Sequence, residues 1–127
     1  MKKIKLSVAL ATHNEEKNLA ECLESIKNLA DEIVITDGES TDKTVEIAKK
    51  FGAKVIKTTN KANFHINKQM AMDETKGELV LQLDADEVVD KEMAKFIEDL
   101  KEDIFNYKQE NDIKSYQPKA WNLKRKN

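Results

Sequence analysis

One cysteine, one proline, one tryptophan and three glycines in 127 residues are scarcities that each exclude something. Cys22, alone, has no partner for an internal disulfide, and its place among apolar residues reads as a buried thiol in a reducing compartment. Three dispersed glycines supply no G-x-G-x-x-G after the first strand and no G-x-x-x-x-G-K-[ST] loop. The first absence weakens a dinucleotide-binding reading, and the second removes the usual backbone cradle for phosphate. A net charge of only −2 gives no electrostatic reason to expect nucleic acid. His13 and His65 are two and far apart, which argues against a zinc site. No apolar run approaches the length of a membrane span, and the start through Ala11 is too short and too broken by Ser7 for a signal peptide, so the cytoplasm is expected. The exception to even charge is Lys119, Lys124, Arg125 and Lys126, which read either as a solvated end or as a patch for peripheral contact with phosphate or membrane.

What is present is alternation. Lys5 to Ala11 is an apolar strand, and Leu19, Cys22, Leu23, Ile26 and Leu29 then recur at helical spacing as one buried stripe. Asn14, followed by Glu15 and Glu16, is the expected N-cap of that helix. Glu32 to Thr36 is a second strand ending on Asp37. The turn Gly38 to Asp42 leads into a helix burying Val45, Ile47, Ala48 and Phe51, with Gly52 as its left-handed stop. Lys54 to Lys57 is a short strand. A third helix is expected from about Ala62 to Thr75, ending at Gly77 by the same glycine logic, with a polar face around Asn67 and Lys68. Leu79 to Leu83 is a buried strand. After it Val89, Met93, Phe96, Ile97, Leu100 and Ile104 trace an amphipathic helix capped by Asp90. Ile113 to Trp121 reads as an edge strand or irregular segment because of Pro118. The order β-α-β-α-β-α-β-α predicts an α/β fold: a mostly parallel sheet with helices on both faces.

In open sheets of this kind ligands sit beyond the carboxyl ends of the strands. Thr12 to Glu15 follow the first strand, Asp37 the second, and Asp84, Asp86 and Glu87 the fourth, so three separated segments converge on one edge. Bare carboxylates gathered there repel one another, and a hard divalent cation such as Mg2+ or Mn2+ relieves that repulsion, taking one or two carboxylates and completing its shell with substrate phosphate. With no glycine-rich loop, phosphate would be held through that metal, aided by Lys68, and Asp37 suits a ribose or base. The bland alternatives are that Asp84-Ala-Asp-Glu87 caps the next helix, that Asp37 caps its turn, that Asn14 only caps, and that Ser40-Thr41-Asp42 only starts a helix.

The residues Val8 to Glu16 (V-A-L-A-T-H-N-E-E), Ile33 to Thr44 (I-V-I-T-D-G-E-S-T-D-K-T), Asn67-Lys68-Gln69 and Leu83-Asp-Ala-Asp-Glu together resemble family 2 glycosyltransferases of the GT-A, Rossmann-like fold. Within that family the chain is most similar to the bacterial lipopolysaccharide-core glucosyltransferase group. The resemblance implies a nucleotide-sugar donor, with UDP-glucose the first expectation, and a saccharide or glycolipid acceptor in the cell envelope. It matches Thr12, Asn14 and Glu15 to the loop bordering the nucleotide, Asp37 to the uracil- or ribose-recognising aspartate and Lys68 to a basic nucleotide contact. Asp84 and Asp86 match the DxD pair, Asp86 holding Mn2+ or Mg2+ and Asp84 lying near the ribose, with Glu87 a third member. The implied reaction is displacement at the anomeric carbon with inversion.

Members of that family continue further, and their later half supplies the acceptor site and the catalytic base. The expectation is therefore a single partial domain, 1–127, lacking the acceptor half and the base. Residues 1–90 would form the nucleotide-sugar-binding core, 91–112 the amphipathic helix and linker, and 113–127 the start of the acceptor half. Glu110 and Asp112 are bases by type only. An apolar stretch from Tyr116 to Leu123 makes a homodimer a further expectation. Two rivals stay open: a non-catalytic nucleotide-sugar-binding module, and a nucleotidyltransferase, which also uses metal and nucleotide but expects a glycine-rich loop near the first strand. A phosphotransfer domain fits less well, since it wants an aspartate where this chain has Thr12 and His13.

Overall fold

The computed structural model describes residues 4–60 and 64–111, with side chains described as far as 108. Four parallel strands, β1 (Leu6–Thr12), β2 (Glu32–Gly38), β3 (Lys54–Thr58) and β4 (Leu79–Gln82), form one sheet in the order β3-β2-β1-β4. Between and after them lie α1 (Leu19–Ile26), α2 (Thr44–Lys50), α3 (Phe64–Asp73) and α4 (Lys91–Asn111). β1 is central, pairing Val8 with Ile33 on one side and with Leu81 on the other. All seven of its residues are buried, as a strand covered on both faces requires.

The two faces are unequal. On one, Leu6, Val8, Leu10, Ile33, Ile35, Leu79 and Leu81 pack against α1, α2 and α4. The expected stripe is wholly buried, from Leu19 to Ile26 in α1 and at Leu29 just beyond it, each leucine or isoleucine contributing about 1.5–3 kcal/mol on leaving water. On the other face, among the described residues, α3 sets Ala71 against Ala9 and Val34. Helices on both faces are thus as the alternation predicted, and Gly52 stops α2 with φ of +78°.

Several expectations change. Asn14 does not cap α1, which starts at Leu19 after Asn18; Asn14 sits in a loop with φ of +51°. Thr12 and Asp37 lie inside β1 and β2 instead of after them: their pairing carries β1 one residue past its expected end, and the further pairing of Gly38 with Thr58 carries β2 two. In α2, Thr44 and Ala48 are the buried positions, while Val45, Ile47 and Phe51 are half-buried. Among the described residues α3 starts at Phe64 and ends at Asp73, short of Gly77. Gly77 is not among the positive-φ glycines: its need is space, since a Cβ there would stand 2.5 Å from Ser7 Oγ, which accepts the Gly77 amide. Asp90 caps α4 by accepting the Met93 amide at 2.8 Å, and Ile97, Leu100 and Ile104 are buried, but Met93 and Phe96 are exposed. The expected segment Ile113 to Trp121 and the basic residues Lys119 to Lys126 lie outside the described residues.

Gly77→Ala forces the added methyl group into Ser7, in the strand at the centre of the sheet. The expected cost is about 1–3 kcal/mol, seen as a lowered urea midpoint at unchanged slope. An unaltered midpoint would mean that the Lys76–Glu78 turn moves freely and that Gly77 is not needed for space.

Candidate functional site

The carboxyl ends of β1 and β2 end in two loops that are laced together. Asp37, only 3% exposed, accepts the Thr12 hydroxyl at 2.7 Å and the Ser40 hydroxyl at 2.6 Å on Oδ1, and the Ser40 amide at 3.0 Å on Oδ2. Ser40 Oγ in turn accepts the Asn14 amide, and Asn14 Oδ1 accepts the Thr41 amide, both at 2.8 Å. The Glu15 amide donates to Thr44 Oγ1 at 2.8 Å and the Glu16 amide to Asp42 at 3.2 Å. His13 Nδ1 lies 2.6 Å from the Gly38 carbonyl, and since a carbonyl only accepts, Nδ1 carries the proton. This lacing needs backbone turns few side chains favour: Asn14 and Glu39 both have positive φ, at +51° and +61°. Asparagine tolerates that region; glutamate there costs on the order of 1–2 kcal/mol.

The third segment closes the edge beyond β4. Glu87 turns back so that its carboxylate accepts the Asp84 amide at 2.8 Å, and the Glu87 amide donates to the Asp84 carbonyl at 2.9 Å. Glu87 is therefore engaged in shaping the turn. Asp84 faces the sheet edge and pairs with Lys68 Nζ at 3.0 Å. Lys68 reaches it from α3, on the far face, with its ammonium 5.5 Å from the Phe64 ring centre. Asp86 is exposed.

The carboxylates sense one another. Burial, then the charge of Asp86, then those of Asp42 and Asp84, raise the Glu15 carboxyl above its ordinary value against a lowering hydrogen bond from Asn18. Cys22 lies beneath the same group, its Sγ donating to the Asp84 carbonyl at 3.7 Å. Burial, reinforced by Glu87, Asp86, Asp84 and Glu15, pushes its thiol up to about 12. Four acids from two loops thus face one buried sulfur. Asp42, by contrast, is lowered, because hydrogen bonds from the Thr44 hydroxyl and amide and the Glu16 amide outweigh desolvation.

Of the residues expected at the site, Thr12, Asn14, Glu15 and Asp37 stand in the laced loops, and Lys68 and Asp84 meet across the sheet edge with Asp86 two residues on. Sequence reading missed the lacing partners His13, Ser40 and Thr44. Asn67, expected on a polar face of α3, is instead fully buried, and its Nδ2 donates to the Thr59 carbonyl at 3.0 Å. The available signal was its position one turn before the buried Ala71. Among the described residues no three histidine, cysteine or acidic side chains stand close enough to hold a metal ion by themselves. Asp84 and Asp86 fit a hard cation that brings further oxygen ligands with a diphosphate, which is the usual habit of Mg2+.

The parallel α/β sheet that carries these loops at its carboxyl edge has the GT-A glycosyltransferase fold, which solved structures share. The crystal structure of Staphylococcus aureus TarS 1-349 superposes with a TM-score of 0.69 at 31% identity, covering 79% of this chain and 33% of that one. Glucosyl-3-phosphoglycerate synthase from Mycobacterium tuberculosis, crystallised with Mn2+ and UDP-glucose, gives a TM-score of 0.57 at 26% identity over 67% of this chain and 34% of that one. An uncharacterized glycosyltransferase of Rickettsia typhi is 40% identical over 94 residues, 74% of this chain and 32% of the relative. The family model described as Glycosyl transferase family 2 matches residues 7–125, and the chain belongs to that family. It spans about a third of the length of these relatives.

The raised thiol sets a pH signature. In the window between the ordinary value of 9.0 and about 12, the unfolded chain releases the Cys22 proton while the folded chain keeps it. Stability therefore falls as pH rises through that window, by at most about 1.4 kcal/mol per pH unit. The expected result is that the unaltered protein loses stability above pH 9.0 more steeply than Cys22→Ala in paired urea titrations. Parallel curves would show that Cys22 ionises as easily folded as unfolded.

Proposed function

We propose that this chain forms the donor-binding side of a family 2 glycosyltransferase that takes a nucleoside-diphosphate sugar. A UDP-sugar is the first choice and glucose the first sugar. The observation that carries this reading is the convergence of the Thr12–Glu15 loop, Asp37 and the Asp84–Asp86 turn on one edge of the sheet, with Lys68 joining from the opposite face. Thr12, Asn14 and Glu15 would border the nucleotide. Asp37, its orientation fixed by Thr12 and Ser40, would receive hydrogen bonds from the ribose or base. Asp86, with Asp84, would hold Mn2+ or Mg2+, which when bound offsets the negative charge growing on a departing diphosphate. Lys68 neutralises Asp84 in the protein as it stands and would turn to phosphate oxygens when a donor enters.

The catalytic base is assigned to no described residue. Residues 1–90 would make the nucleotide-sugar-binding core, 91–112 its covering helix, and 113–127 the entry to the acceptor side. The acceptor we infer is a cell-envelope saccharide or glycolipid, as in the lipopolysaccharide-core group. That acceptor would be met at the inner face of the membrane; no helix among the described residues is long and apolar enough to cross one. Inversion would follow from direct displacement. The relatives support the reading through their printed ligands, Mn2+ with UDP-glucose in the mycobacterial synthase, and leave a second sugar class open. A Staphylococcus aureus relative, 32% identical over 102 residues, bears the name poly(ribitol-phosphate) beta-N-acetylglucosaminyltransferase.

Calorimetric titration of UDP, UDP-glucose and UDP-N-acetylglucosamine with and without Mn2+ tests this. Metal-dependent binding is expected, weakened at least about ten-fold, or about 1.4 kcal/mol, by Asp86→Asn. Lys68→Ala should weaken it while leaving the metal requirement in place. Binding indifferent to both Mn2+ and Asp86→Asn would overturn the metal assignment, and absence of binding under every condition would overturn the donor-side reading.

A further inference from the structure

Gly38 ends β2 on the face that α3 covers, and its neighbours there leave no room for a side chain. A Cβ would stand 3.0 Å from the Asn60 Cα, 3.1 Å from Asn67 Nδ2 and 3.3 Å from the Thr59 carbonyl oxygen. Hydrogen bonds close the same corner. Asn67 Nδ2 donates to the Thr59 carbonyl at 3.0 Å, and the Asn60 amide donates to Glu39 Oε1 at 2.9 Å. Glu39 makes that reach from the left-handed region, at φ of +61°. Thr59 and Asn60, which follow β3, are thus held from both sides: by the turn after β2 and by α3.

Packing alone fixes α3 weakly. Its buried positions are Asn67 and Ala71, and the cluster beneath it is Ala9 and Val34, with Ile56, Met72 and Val80 half-buried around them. Small side chains make shallow ridges and grooves, so the slide and roll of a helix resting on them are loosely set. A hydrogen bond, being directional, sets them. Nor is Asn67 suited to its place by stability. It is fully buried, yet among the described residues its Oδ1 has no hydrogen-bond partner, and neither has Thr36 Oγ1, which shares a face of β2 with Val34 and Gly38. A buried amide oxygen left unpaired is destabilising, so what this side chain contributes is placement.

What it places is Lys68. That lysine follows Asn67 in α3, about 100° further round the helix, so a helix held at Asn67 has its lysine aimed. Lys68 crosses the end of the sheet to meet Asp84 at 3.0 Å, its side chain only 19% exposed. We propose that Asn67 is a positioning residue: with Glu39 it pins α3 to Thr59 and Asn60 beside Gly38, and so fixes the point from which Lys68 reaches the diphosphate. This role rests on the donor-side reading given above. Because Gly38 directly follows Asp37, the same pin also sets the span between the aspartate offered to the ribose or base and the lysine offered to the phosphates.

A double-mutant cycle read by calorimetric titration of UDP with Mn2+ into the full chain tests this. Asn67→Ala removes the hydrogen bond and the unpartnered oxygen together and favours the helix, so the urea midpoint should change little. UDP binding should nevertheless weaken, roughly three- to ten-fold. In a Lys68→Ala background the same substitution should have no further effect, because a misplaced lysine and an absent one then count alike. Glu39→Gly relieves the left-handed residue while removing the carboxylate that holds Asn60. It should leave the urea midpoint no lower and still weaken UDP binding, again only where Lys68 is present. UDP binding unchanged by both substitutions overturns the role. So does a loss that persists undiminished in the Lys68→Ala background, the mark of general loosening, and so does a loss from Asn67→Ala larger than that from Lys68→Ala. Each of these leaves the donor-side reading standing, whereas an unaltered protein that binds no UDP removes the reading and the role together.

Discussion

The carboxylate of Asp37 is the fixed point of this molecule. It is buried at the end of β2, and the donors that the structure gives it are two hydroxyls and an amide, none of them cationic. A buried carboxylate held this way is stable only while every donor stays aimed at it, since each lost bond to a desolvated charge costs about 1–3 kcal/mol. Thr12 must therefore remain at the end of β1 and Ser40 in the turn after β2. That in turn pins Asn14 and Thr41, and through the Glu15 amide the first residue of α2, Thr44. The positive φ of Asn14 and Glu39 is local strain that this network holds in place.

The consequence is an edge of two kinds. On the β1–β2 side the loops are tied to each other by hydrogen bonds and present a set shape. On the β4 side Asp84 pairs with a single lysine from the opposite face, and Asp86 stands in water. A preformed wall beside an electrostatically unfinished one suits a ligand that brings its own cation and its own charge. Orientation then costs little on the rigid side, and the charge balance is completed on the other.

Much of the fold was legible because hydrophobic period and strand endings agreed. The stripe of α1, the buried β4 and the Asp90 cap of α4 all follow from spacing alone. What spacing could not give was direction within a loop. Asn14 before two acids has the local chemistry of a cap, and only the neighbouring loop, 26 residues on, turns it into a bridge. Gly77 reads as a helix stop by type, yet the constraint comes from Ser7, 70 residues away in sequence. Met93 and Phe96 fit the helical period of α4 as well as Ile97 does. Which flank meets the core depends on where α1 and the sheet end, a tertiary fact without a local trace.

Lys68 shows the same limit at the site. As a residue in a weakly amphipathic helix it could serve solubility, and its sequence neighbours do not distinguish that from a role at the edge. The structure separates them by geometry: the lysine is one-fifth exposed, its ammonium lies over Phe64, and it meets Asp84 at 3.0 Å across the end of the sheet. An ion pair of this exposure adds about 1 kcal/mol or less to stability. Its place matters more, since it sets one cation against Asp84 at an edge that also carries Glu15 and Asp86. Burial first, and the neighbouring carboxylates after it, raise the Glu15 carboxyl and the Cys22 thiol, so the protein alone leaves this edge short of positive charge. Loops this firmly laced cannot relax apart to relieve that deficit, and so it stays available to whatever cation a ligand carries in.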